Sequence, residues 1–136
     1  MKLLIAKNIG LIICVLISFT FFSCDPISNI DYVIDNRSEN SLEVISRGLL
    51  DVESDTNFIA NQTEFILHEA FIIGRTTRRV LNETEDLPFR ELGIKNDEGE
   101  LYQPDLLDID QWKKIRLRDD NERGIIKLVV TDDDFN

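Results

Sequence analysis

From residue 30 onward the apolar residues of this chain recur at every second position, and that spacing leaves little room for a helical protein. "IDYVIDN" sets Ile30, Tyr32 and Ile34 on one side and Asp31 and Asp35 on the other. "SLEVIS" repeats the pattern with Leu42 and Val44, after the polar turn "NRSEN". A period of two marks a strand with one face in a core and one in water. "TNFIANQTEFILHEAFIIG" holds two more strands, broken at Asn61-Gln62 and ended by Gly74, with Phe58, Phe65 and Leu67 expected inward. In "FRELGIKNDEGELY", Leu92 and Ile94 alternate with Glu91 and Lys95. There Asp97-Glu98-Gly99 predicts a tight turn into a return strand through Leu101 and Tyr102. "KKIRLR" and "IIKLVVT" supply the last two strands around the turn "DDNERG". Ile115, Leu117, Ile126, Leu128 and Val130 are expected to face in.

Two segments depart from this pattern. "RTTRRVLNETEDLP", residues 75–88, has no clear period and reads as a loop or an irregular edge strand. In "QPDLLDIDQW", Asp105 is placed to cap one short helical turn near 105–112 that points Leu106, Ile109 and Trp112 inward. The whole pattern predicts an all-β fold, an antiparallel immunoglobulin-like β-sandwich of about seven strands. The expected boundaries are a leader at 1–23, a tether at 24–29 and a single domain at 30–136. That length fills one core and is too short for two.

The leader reads separately. Lys2 and Lys7 carry the only charges in the first 23 residues, and Ile9 to Phe22 is almost wholly apolar. This is the layout of an export signal. Its apolar run of about 14 residues is short of the roughly 20 that a helix needs to cross a bilayer. It ends in Phe21-Phe22-Ser23-Cys24, a small residue directly before a cysteine. That end resembles a bacterial lipobox. It departs from the common form, which has Leu and then a small residue where this chain has Phe21 and Phe22. With "YVIDNRSENSLEV" and "IKNDEGELY…W…IIKLVV" behind it, the chain is similar to the small lipoproteins of Bacteroidota type. The resemblance implies cleavage before Cys24, lipidation of the Cys24 thiol, an outer-membrane lipid anchor in the cell envelope, and a sandwich fold. It brings no activity with it. Asp25-Pro26 lacks the acidic run that resembles a surface-export signal in this group, which points to the periplasmic face, with the cell surface as the alternative. Cys14 would leave with the leader, so the mature chain would have neither free thiol nor disulfide.

Loss of the leader removes two of the chain's 15 basic residues and none of its 26 acidic ones, taking the net charge from −11 to −13. That argues against nucleic acid as a partner, which needs clustered positive charge. It also argues against docking of the whole body on anionic head groups.

Catalytic signals are weak. His68 is the single histidine, and "ILHEA" offers it no serine partner. A zinc site of His and Cys is ruled out by count, and the six glycines are scattered rather than gathered in a phosphate loop. Asp105, Asp108 and Asp110, and the tail Asp132, Asp133 and Asp134, supply oxygens but lack the spacing of a calcium loop. The triplets at Asn36, Asn61 and Asn82 match a glycosylation acceptor, which matters only in a eukaryotic secretory pathway. The expectation is a protein that is not an enzyme, with no cofactor and no metal.

The bases, by contrast, are uneven. Arg75, Arg78 and Arg79 fall in one segment, Lys114, Arg116 and Arg118 line one side of a strand, and Lys127 is expected on the outer side of its neighbour. Lys114, Arg116, Arg118 and Lys127 form the candidate partner-binding face, for an acidic protein or an anionic glycan. The simpler account is a solvated face whose bases meet nearby acids such as Asp119 and Glu122. The expected function is a non-catalytic, lipid-anchored binding or interaction module. The alternative is an immunity or inhibitor protein that neutralises a toxin or hydrolase, to which strong acidity would lend a fast encounter with a basic enzyme.

Overall fold

The computed structural model of the protein describes residues 25–118 and 122–135. The leader and Cys24 lie outside the described residues. Among the described residues seven strands form: β1 (Ile27–Asn36), β2 (Leu42–Gly48), β3 (Asp55–Ile59), β4 (Thr63–Ile73), β5 (Phe89–Asn96), β6 (Lys113–Arg116) and β7 (Arg123–Val130). Among the same residues an α-helix, α1 (Thr77–Glu83), lies between β4 and β5. Short 3-10 turns cover Ile109–Gln111 and Asp132–Asp134. The strands make two sheets, β4-β1-β7-β6 and β3-β2-β5. This is the expected all-β sandwich, divided four and three as in an immunoglobulin constant domain. Its strand order differs from that of the immunoglobulin domain. β1 pairs with β7 in parallel, whereas every other strand pair among the described residues is antiparallel.

Alternation explains the core. The inner sides of β1 and β7 bring Ile30, Tyr32 and Ile34 beside Ile126, Leu128 and Val130. Leu42 and Val44 of β2, Ile59 of β3 and Ile94 of β5 meet them from the second sheet. Burying one such side chain contributes about 1.5–3 kcal/mol. Asn36, fully buried, locks one end of the sandwich. Its amide nitrogen donates to the carbonyls of Asn40 at 2.9 Å and Ala60 at 3.0 Å, and its oxygen accepts from the Ser38 hydroxyl at 2.7 Å. The β3–β4 hairpin turns at Gln62, which holds φ +56, the one non-glycine in the left-handed region among the described residues.

Several expectations need correction. β1 begins at Ile27, so the tether that sequence extended to Asn29 shrinks to Asp25 and Pro26 before the first strand. Residues 77–83 are a helix, not a loop or edge strand. Phe58 points outward and is 75% exposed, because β3 pairs it with Glu43 and gives the inner position to Ile59. Ile115 pairs with Ile125 on the outer side of its sheet, while Lys114 shares the side of Ile126. The turn at Asp97-Glu98-Gly99 forms, with Gly99 at φ +83, but its return is a single bridge from Lys95 to Leu101. The turn near 105–112 does bury Leu106 and Trp112, and the Trp112 indole donates to the Leu106 carbonyl at 3.0 Å. Asp105 caps only Leu107, and Asp108 caps the 3-10 turn.

Candidate functional site

The two basic clusters that are distant in sequence meet at one corner of the sandwich. Thr76 starts α1, its hydroxyl accepting from the Arg79 N–H at 3.4 Å. Thr77, Val80 and Leu81 fall on one side of the helix and are buried. That side packs against β1, β6 and β7. The opposite side carries Arg78, Arg79 and Asn82 into solvent. Arg75 and Arg79 both reach Glu83, at 3.7 and 2.8 Å. Lys114 of β6 extends along the helix, and its ammonium donates to the Thr84 carbonyl at 2.5 Å, just past the last turn. A cation at the carbonyl end of a helix is favourably placed. Arg116 pairs across from Gly124, whose Cα faces Thr77 and Leu81 of α1. Arg118 follows, exposed, after β6. The result is a cationic corner on a strongly acidic domain.

Of the four bases singled out from sequence, Lys114 and Arg116 lie beside α1, and Arg118 follows them past the end of β6. Lys127 does not join them. It pairs with Lys113, hence on the opposite side of the sheet from Lys114 and Arg116. There its ammonium bonds the Glu64 carboxylate and lies 3.9 Å from Asp35, with only 14% of the side chain exposed. Sequence reasoning kept Arg75, Arg78 and Arg79 apart from the strand bases, since nothing in a seven-residue helix announces where it packs. The signal available was Thr76 followed by the apolar pair Val80-Leu81.

Other candidates are occupied by structural duties. A depression of about 420 Å³ opens on the outer side of the four-stranded sheet among Asn29, Asp31, Glu69, Phe71 and Arg123. Its floor is a closed pair, Arg123 to the buried Asp31 at 2.6 Å. His68 lies 5.9 Å from the rings of both Tyr32 and Phe89. The acidic runs serve turns. Asp108 accepts from the Asp110 N–H at 3.0 Å, Asp132 from the Glu39 N–H at 3.0 Å, and Asp134 from the Thr131 N–H at 2.7 Å. Among the described residues no group of three or more His, Cys, Asp and Glu is placed to hold a metal ion, and no helix is long and apolar enough to cross a membrane. Comparison with family models, curated proteins and solved structures finds no match to this chain.

Proposed function

We propose that this is a lipid-anchored cell-envelope protein, held in the outer membrane through Cys24, that binds an acidic partner without transforming it. The observation that carries this reading is the packing of α1, whose solvent side carries Arg78 and Arg79, beside Lys114 and Arg116 of β6 on a domain whose mature net charge is −13. Concentrated positive charge on an acidic body gives a partner both an encounter path and a fixed orientation. Rigid elements hold it: a helix seated on the core and an edge strand paired to β7.

The test is capture from envelope membranes with the anchor intact, followed by charge reversal. Arg78→Glu and Arg116→Glu are expected to leave the urea melt within about 1 kcal/mol of wild type, as exposed charges do. Both are expected to reduce recovery of the specific partner, and most at low salt, where screening is least. The control is Lys95→Glu on the other sheet, whose own partner is Glu43 at 3.0 Å. A partner recovered equally by all three variants and wild type would overturn the assignment of this corner.

A further inference from the structure

We propose a second contact surface: the apolar corner of Ile27, Phe71 and Ile73 rests in the head-group layer of the bilayer that carries the Cys24 anchor. This rests on the lipid-anchor reading above. Ile27 and Ile73 are register partners across β1 and β4, and Phe71 stands two residues along the same strand on the same outer side. Phe71 and Ile73 are each 63% exposed, large apolar side chains that the fold leaves uncovered. Clustered apolar exposure of this kind marks a contact site more often than lone exposed residues do.

The length of chain between anchor and domain selects the occupant. Only Asp25 and Pro26 separate Cys24 from β1. Three Cα steps of 3.8 Å allow about 11 Å at full extension. The corner is fixed at the point where that chain enters, because the Gly74 N–H donates to the Pro26 carbonyl at 2.8 Å. An apolar surface bound to a membrane sinks about 5–10 Å into the head-group and acyl boundary. An acylated Cys24 therefore keeps Ile27, and with it Phe71 and Ile73, within reach of that depth. It leaves no layer between domain and bilayer wide enough for another protein. β2 also runs away from the Asn36 end, and it delivers Leu50 and Val52 of the next loop, both almost fully exposed, toward the same half of the sandwich. The helix α1 packs on the inner side of the β4-β1-β7-β6 sheet, against Gly124.

The experiment uses the full acylated chain in vesicles of phosphatidylethanolamine and phosphatidylglycerol. Phe71→Cys and, separately, Phe58→Cys carry a nitroxide label; both positions are exposed in the fold. On vesicles, the label at 71 is expected to become more accessible to oxygen than to a water-soluble nickel chelate, whereas the label at 58 stays open to the chelate. Equal chelate accessibility at both positions overturns the proposal while leaving the anchor in place. Spin–spin broadening at 71 without a gain in oxygen accessibility assigns the corner to a second copy of the chain, and also overturns it. Mass spectrometry of the same sample separates the two readings. A chain that retains Met1, or begins at residue 24 without added acyl mass, removes the anchor and this proposal together.

Discussion

Tyr102 shows how much a single side chain can disclose. Its ring meets Phe135 edge to face at 6.0 Å, and its phenol is pushed up to about 12, first by burial and second by the Asp134 carboxylate. Burial raises Tyr32 as well. A raised phenol keeps its proton in the folded state at a pH where the unfolded chain releases it. The associated stability is therefore fully present below pH 10 and lost as the pH rises toward about 12. Urea melts between about pH 9 and pH 12 should fall less steeply for Tyr102→Phe than for wild type. Parallel slopes would show that this ring does not titrate with folding. Residue by residue, the core was mostly legible. Ile34, Leu42, Val44, Ile94, Ile126, Leu128 and Val130 are all buried as alternation requires. It failed at Phe58 and Ile115 for one reason. Each has an apolar neighbour or a run of bases on both sides, so a period of two fixes the spacing without fixing the phase.

Among the elements, α1 was the one that sequence left without form. Seven residues hold too few turns to display a helical stripe, and its register depends on what it meets in space. The seat is tight. A Cβ on Gly124 would stand 2.9 Å from the Thr77 methyl and 3.1 Å from Ile30 and Leu81 carbons. Gly124→Ala should accordingly lower stability by about 1–3 kcal/mol, the usual range for overpacking. Because Lys114 grips the helix end, the same change should loosen the cationic corner. Thr77→Val tests the seat from the other side. The Thr77 hydroxyl is buried without a partner, so the isosteric change should be neutral or stabilising by about 1 kcal/mol in the same urea melt. A Gly124→Ala protein as stable as wild type would mean that α1 rides on the sheet rather than in it.

At the scale of the molecule, two sheets and one core followed from length, turn spacing and alternation, whereas the strand order did not. Which strand lies beside which is decided by long-range register, and β1 carries no local mark of its parallel neighbour. That neighbour has a kinetic consequence. The Arg123–Asp31 pair at the β1–β7 seam joins residues 92 apart in sequence. β1 and β7 are the two central strands of the larger sheet, so the chain's first strand waits for its last. Contacts this distant slow folding, because the loop must close before any of them forms. On the export reading this delay is useful: a chain that crosses a membrane unfolded stays threadable until its final residues emerge, and the sheet closes only on arrival. Truncation after Arg118 should then abolish the cooperative urea transition altogether, and a sharp residual melt would show that the β3-β2-β5 sheet and its turns form a unit that does not need the seam.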